Sequence, residues 1–299
     1  MGSLNFIDIS GWQKGLDLEA LFKANPSLDG VIVKSTGGAS YVQPTCDPWV
    51  QTLIRMGKPW GFYHFMDDDH KASSGKTEAE FFVKNCRNYF GKGVPVADYE
   101  DPAKKHGTAY LKEFLDTVYS LTGVRAMVYT SLSVLYEQDF SKIAAAGYPL
   151  WVAQYANMKY TGIQETPWQN GAVSPFAKYW MHQYSSCGRL NGYNANLDLD
   201  KFYGSEEDWV SLAKGWPITE PMAPPAAAKK NISQEIIQDI LDGKYSIGNE
   251  RVQKLSAAGY DPTEVQSKIN ELYQRAAELK KLKSACGEYF ALVQRISEN

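Results

Sequence analysis

The sequence predicts an irregular (β/α) barrel of eight strands with fewer than eight helices, followed by a small all-α domain of three helices. Three observations lead there. Eight short β-rich runs recur between residues 4 and 203. Helical segments separate the early runs; such alternation implies a parallel sheet, and eight strands imply its closure. A Pro/Ala-rich stretch then ends the β pattern, and the chain beyond it reads as helix.

In order, the runs are LNFIDIS (4–10), GVIVKST (30–36), PWGFYHF (59–65), VPVADYE (94–100), RAMVYT (125–130), PLWVAQY (149–155), KYWMHQYS (178–185) and NLDLDKFY (196–203). Several are apolar on both faces, as strands of a covered sheet must be. Between them, DLEALFKAN, KTEAEFFVKNCRNYF and TAYLKEFLDTVYSLTG carry apolar residues at i, i+3, i+4 spacing. The later strands are joined by Gly- and aromatic-rich stretches that make poor helices, so the second half of the barrel is the irregular one. The barrel is assigned residues 1–214, the linker GWPITEPMAPPAAAKKN residues 215–231, and the helical domain residues 232–299. In that domain Ser233 is the expected N-cap of a helix stopped by Gly243. A second helix ends at Gly259, and Thr263 caps a third that runs towards the C-terminus.

Composition excludes several classes. The net charge of −3 provides no basic field for nucleic acid. No apolar run reaches the roughly 18–20 residues of a membrane helix. The opening MGSLNFIDIS lacks the basic and apolar regions of a signal peptide. Cys46, Cys86, Cys187 and Cys286 are widely spaced and read as free thiols, with room for one chance disulfide. No two of the four histidines stand at i, i+4, so neither a metal nor another cofactor is expected.

The informative feature is where the acids fall. Active sites of parallel barrels lie at the carboxyl ends of the strands. Asp8 lies near the end of the first run, Asp98 and Glu100 at the end of the fourth, and Asp198 and Asp200 sit on the eighth. Residues two apart on a strand face one side, roughly 6.5–7 Å apart. Closure makes the first and eighth strands neighbours, so Asp8 and Asp198 can meet the Asp98–Glu100 pair. Gathering carboxylates is costly unless they share protons or hydrogen bonds. Two carboxyls with pKa values pushed apart are what glycoside hydrolysis requires. A lone acid at a strand end is ordinarily a cap or turn residue, and Asp17, Asp29 and Asp101 read that way. The acid pattern by itself leaves the catalytic and structural readings evenly balanced.

Seven motifs in one order sharpen the reading: DISGWQ (8–13), VIVKSTGG (31–38), GFYHF (61–65), the D-x-E of VADYED, LWVAQY (150–155), HQYSS (182–186) and NLDLDKFYG (196–204). Together they resemble the family 25 glycoside hydrolases, the Chalaropsis-type lysozymes, over about residues 4–210. The resemblance implies an N-acetylmuramidase cutting the β-1,4 bond between N-acetylmuramic acid and N-acetylglucosamine. It makes Glu100 the general acid and Asp98 the carboxylate that stabilises the transition state or orients the 2-acetamido group. Asp8 matches the acid of the family's D-x-S motif, and Asp198 the acid of its last strand. Asp200 stands where the family usually has Asn, and no role is expected of it. Lys34, Tyr63, Phe65, Tyr129, Trp151, Tyr155 and Gln183 are expected around a sugar cleft, the aromatic faces for stacking and Gln183 for an N-acetyl group. His64 and His182 read as core. The Asp98–Glu100 spacing falls between the ranges for retaining and inverting enzymes, so the stereochemical course stays open.

Residues 232–273 are similar to the Cpl-7-type cell-wall-binding repeat, with Tyr245 where that family often has Trp. The resemblance implies a three-helix module that binds peptidoglycan. Gly248, Asn249 and Arg251 are its candidate contacts, with turn and cap chemistry as the equal alternative. A single copy binds weakly, which homo-oligomerisation through the C-terminal helix would offset. A barrel, a linker and a wall-binding module imply a phage or prophage endolysin of a Gram-positive host, made in the cytoplasm and released by a holin. The alternatives are a secreted autolysin, an N-acetylglucosaminidase, or a wall-binding protein without activity.

Overall fold

A computed structural model describes residues 2–215, residues 232–242 and scattered positions from 244 to 275. The chain divides into two compact units near residue 225. In the first, the strands are β1 (Leu4–Ile9), β2 (Gly30–Gly37), β3 (Tyr41–Val42), β4 (Trp60–Phe65), β5 (Val94–Asp98), β6 (Met127–Ser131), β7 (Leu150–Ala153), β8 (Met181–Gly188) and β9 (Leu197–Phe202). All but β3 close a barrel in the order β1-β2-β4-β5-β6-β7-β8-β9; β3 is an antiparallel flap on β2. These eight strands are the eight read from the sequence. The helices are α1 (Leu18–Ala24), α2 (Cys46–Arg55), α3 (Gly75–Cys86), α4 (Thr108–Thr122), α5 (Leu132–Glu137), α6 (Ser141–Ala145) and α7 (Glu206–Lys214). No helix is described between β7 and β8, where the sequence is rich in Gly and aromatics.

One strand departs from the expectation. β9 runs antiparallel to both β8 and β1, so Asp198 reaches the functional end of the barrel from the start of its strand. The reason is the short link between Gly188 and Leu197. A parallel crossover takes a dozen or more residues. A helix not expected from the sequence is α2, whose CDPW start places Pro48 in the first turn, where a missing N–H costs nothing.

Strand alternation builds two cores. Outward residues such as Ile7, Ile9, Val31, Val33 and Phe62 pack under the helices with Phe82, Leu111 and Phe114. Inward residues Phe6, Ile32, Val94, Val96, Met127 and Phe202 fill the lumen, and Trp209 of α7 joins them. The Trp209 ring lies 4.4 Å from that of Phe6, and its Nε1–H donates to the Trp60 carbonyl at 3.1 Å. Each fully buried ring stabilises by about 1.5–3 kcal/mol. The apolar plug fills one end of the lumen, and the inward positions nearer the carboxyl ends of the parallel strands carry the acids.

In the second unit, Ser233 caps α8 (Gln234–Leu241) by accepting from Ile236 N–H. Ile236, Ile237, Ile240, Leu255, Val265 and Ile269 bury together, with Tyr245 and Tyr260 against them. Most of the linker, Gly243, Gly259, Thr263, the end of the last expected helix and Cys286 lie outside the described residues. Cys46, Cys86 and Cys187 are free and buried. No helix among the described residues is long and apolar enough to cross a membrane.

Candidate active site

At the carboxyl ends of the parallel strands a cavity of about 420 Å³ opens. Asp8, Asp98, Glu100 and Asp198 line it, as do Lys34, Tyr63, Phe65, Tyr129, Trp151, Tyr155 and Gln183. Four further residues, Ser10, Trp12, Gln13 and Asp68, complete the lining without having been singled out from the sequence.

Each is placed by local structure. β5 ends at Asp98, but Tyr99 N–H still donates to the Tyr129 carbonyl at 2.9 Å, so alternation continues past the strand. Asp98 points in, and Tyr99 turns out to bond Gln138 Oε1 at 2.7 Å. Glu100 returns to the cavity, half-buried. Asp8 and Asp198 stand directly opposite across β1 and β9. After β1, Ser10 caps a one-turn helix: its Oγ accepts from Trp12 N–H at 3.3 Å, and Gln13 Oε1 accepts from Ser10 N–H at 2.9 Å. That turn pushes Trp12 out at the cavity lip with 91% of its surface exposed. The signal for Trp12 was present in DISGWQ, where an aromatic follows the acid motif.

Two expected sugar contacts are otherwise engaged. Gln183 donates through Nε2 to Asp8 Oδ2 at 2.6 Å and accepts from the hydroxyls of Tyr129 (2.8 Å) and Tyr155 (2.5 Å). Its amide orients Asp8 and leaves little for an N-acetyl group. Trp151 is only 2% exposed, packs edge-on to Tyr129, and donates from Nε1 to Asp200 Oδ1 at 3.1 Å. It forms the cavity floor and has no free stacking face. Lys34 pairs with Asp68 Oδ2 at 2.8 Å and lies over the Phe65 ring at 4.6 Å. His64 and His182 are fully buried, as expected, and burial pushes His182 down to about 4.

The electrostatics are those of crowded acids. Burial raises Asp8 well above the ordinary range, with Asp198 and then Glu100 adding to it. Burial, Glu100 and Asp8 raise Asp98, against the Lys34 ammonium. Burial raises Glu100, followed by Asp198 and Asp101, again opposed by Lys34. Asp198 is pushed up to about 6 by burial. Asp98 Oδ1 is buried with no hydrogen-bond donor. Among the described residues, no three His, Cys, Asp or Glu side chains are grouped to hold a metal ion. A cavity of this kind can protonate an oxygen at its mouth and offer a carboxylate oxygen to an N–H.

In the second unit Gly248 and Asn249 lie outside the described residues. Arg251 is half-buried.

Comparison with known proteins agrees with this geometry. A family model described as "Glycosyl hydrolases family 25" matches residues 7–193, and one described as "CW_7 repeat" matches residues 234–273. The lysozyme of Streptococcus phage Cp-7 is 25% identical over 276 residues, covering 89% of this chain and 69% of the relative. The autolytic lysozyme of Clostridium acetobutylicum is 25% identical over 203 residues, covering 66% of this chain and 55% of the relative. The bacterial lysozyme from Streptomyces coelicolor superimposes with a TM-score of 0.59 at 24% identity, covering 72% of this chain and 98% of that one.

Proposed function

Because this chain belongs to the glycosyl hydrolases of family 25 and is a peptidoglycan muramidase of the lysozyme type, we propose that Glu100 is its general acid and Asp98 its substrate-orienting carboxylate. The observation that carries this is the pairing of a half-buried Glu100, raised by burial and Asp198, with an Asp98 oxygen that no protein donor satisfies. Glu100 delivers its proton to the glycosidic oxygen. Asp98 Oδ1 accepts the N–H of the 2-acetamido group and holds it beside the anomeric carbon. Burial and the Asp198 and Asp101 carboxylates keep Glu100 protonated. Digesting Gram-positive peptidoglycan, reducing the products and identifying the new ends by mass spectrometry tests the bond specificity. Muramitol ends support the muramidase reading; glucosaminitol ends would replace it with a glucosaminidase.

Similarity to the phage Cp-7 lysozyme across both units supports an endolysin acting on cell walls, with the 234–273 repeat as its wall anchor. The likeness to the clostridial autolytic lysozyme covers 66% of the chain against 89% for the phage lysozyme, which favours the phage arrangement over the autolysin.

Trp12 is the stacking face that the buried Trp151 is not. Trp12→Ala is expected to raise KM for glycan fragments roughly 5- to 30-fold, in line with a lost stacking contact of about 1–2 kcal/mol, and to leave kcat within twofold. Steady-state kinetics on soluble fragments read it; an unchanged KM would remove Trp12 from the binding surface.

The pH dependence follows from the raised acids. Asp8, Asp98, Asp198 and Asp200 all sit above their unfolded values near 3.9. Between those values and the folded ones, the native chain binds more protons than the unfolded chain, so their stabilisation is lost as pH rises. Asp67 and Asp69 are lowered and act oppositely: their contribution fades as pH falls below about 4. The melting temperature is therefore expected to peak near pH 5 and decline towards pH 8. A calorimetric series in which it climbs steadily from pH 5 to 8 would contradict the protonated cluster.

A further inference from the structure

Among the described residues, Asp200 is the acid of the barrel lumen that does not line the cavity. It lies inward on β9 beyond Asp198, with none of its surface exposed. Its Oδ1 accepts from Trp151 Nε1–H at 3.1 Å, while Oδ2 is buried without any N–H donor. The groups facing it are Asp8 from β1, Asp198 on its own strand, the Trp151 indole from β7, Tyr155 after β7, and Tyr184 on β8, with Gln183 as its register partner. None of these is a cation.

We propose that Asp200 is a positioning residue that carries the proton it shares with Asp8 and donates it to Asp8 as a hydrogen bond. Asp8 is thereby held ionised and in one orientation at the cavity floor. The assignment of the proton follows from the surroundings. Asp8 already accepts a 2.6 Å hydrogen bond from the Gln183 amide and touches the open cavity; Asp200 has only the longer indole bond and no solvent. Of two carboxyls sharing one proton, the better-hydrogen-bonded and better-hydrated one takes the charge. Burial, Asp8 and Asp198 raise Asp200 well above the ordinary range; burial and Asp198 raise Asp8 too, but the bonds from Gln183 and Asp200 act against that rise, and Asp200 has only the indole bond to do so. The orphaned Oδ2 is then an O–H, and the buried atom has its partner. Gln183 and Asp200 together grip Asp8, and the Tyr129 and Tyr155 hydroxyls lock Gln183 in turn.

This rests on the reading of Asp8 as part of the catalytic cluster, and the experiment separates the two. Full-length parent, Asp200→Asn and Asp200→Leu are compared. An amide presents an acceptor oxygen and an N–H donor where a protonated carboxyl presents its C=O and O–H, so Asp200→Asn is expected to keep the parent rate within about threefold. Asp200→Leu removes the donor to a charged group and is expected to lose roughly ten- to a hundredfold in kcat, with KM unchanged because Asp200 touches no substrate. At pH 7 the infrared difference spectrum, parent minus Asp200→Asn, is expected to show the carbonyl stretch of a buried protonated carboxyl. Thermal melts should place Asp200→Asn above the parent at pH 8 and level with it at pH 4. A missing carbonyl band, or equal kcat losses in the Asn and Leu variants, overturns the proposal. If the parent releases no sugar ends, the muramidase reading fails. The infrared and melting comparisons then still decide whether Asp200 holds the proton.

Discussion

Glu100→Gln is expected to lower the release of reducing ends from peptidoglycan by roughly 10²- to 10⁴-fold, the usual contribution of a positioned general acid. The amide fills the same space but has no proton to give at the pH where the carboxyl does. Burial and the Asp198 and Asp101 carboxylates keep Glu100 protonated above the ordinary range, and the Lys34 ammonium, already paired with Asp68, opposes them only in part. Removing an ionisable group from a crowd of acids also removes repulsion, so the variant should melt at or above the parent temperature. A loss of activity therefore cannot be assigned to unfolding. KM should move by no more than a few-fold, since the proton is transferred in the transition state and not on binding. Asp98→Asn supplies the contrast. It too should slow the enzyme, but its residual activity should keep falling at high pH as Glu100 titrates, whereas residual activity in Glu100→Gln should lose that limb. Substantial activity in Glu100→Gln with the parent's alkaline limb intact would move the acid's role elsewhere in the cluster.

How much of this was legible in the sequence depends on what physical rule each feature obeys. The strands were legible because each is a run of apolar residues with its own boundaries, and burial on both faces leaves that mark locally. The meeting of Asp8 with Asp198 was legible because closure forces the first and last strands together. The direction of β9 was not carried by its composition, which reads the same either way; it is set by the short Gly188–Leu197 link. Gln183 and Trp151 line the cavity, but their side chains bond Asp8 and Asp200 within the barrel. A side chain's hydrogen bonds in a lumen are decided by residues from four other strands, and no local pattern records them. No role is expected of Asp200 from the sequence, because the resembled family usually has Asn there. From the sequence it is an extra charge near an acid; in the barrel it is fully buried, bonded by the Trp151 indole and within electrostatic reach of Asp8. Asp68 stayed hidden in the Asp67–Asp69 run because each of the three acids takes a different partner.

That acidic run leads to the largest effect expected on stability, at a residue outside the cavity. Glu78 of α3 is fully buried. Its carboxyl accepts from Asp67 N–H at 3.0 and 3.1 Å and from the Tyr110 hydroxyl, and it meets His64 Nε2 at 2.7 Å. His64 Nδ1 in turn meets Thr36 Oγ1 at 2.8 Å. One side chain thus ties β2, β4, α3 and α4 to the loop after β4. That loop holds Asp67 at φ 57° and His70 at φ 53°, left-handed conformations that non-glycine residues adopt only when their surroundings impose them. The Asp67 carboxyl is itself gripped by Lys105 at 2.8 Å and His106 at 3.1 Å. The next residue, Asp68, then meets Lys34 in the cavity, and Asp69 accepts from Ala39 N–H at 3.1 Å. Gly38 must remain glycine here: at φ +52°, its Cβ would stand 2.8 Å from Asp69 N. Glu78→Ala would leave a buried imidazole, a hydroxyl and a backbone N–H unpartnered around a new void. The expected cost is about 3–5 kcal/mol, a fall in melting temperature on the order of ten degrees. Glu78→Gln keeps an acceptor for the Asp67 N–H and a polar group for His64, and should cost less than half as much. Hydrogen exchange should accelerate first at Asp67–His70, and KM should rise as Asp68 and Lys34 lose their fixed geometry. A Glu78→Ala variant that melts within two or three degrees of the parent would mean that the loop is held by the Asp67 ion pairs alone, and that the buried network is incidental to the shape of the cleft.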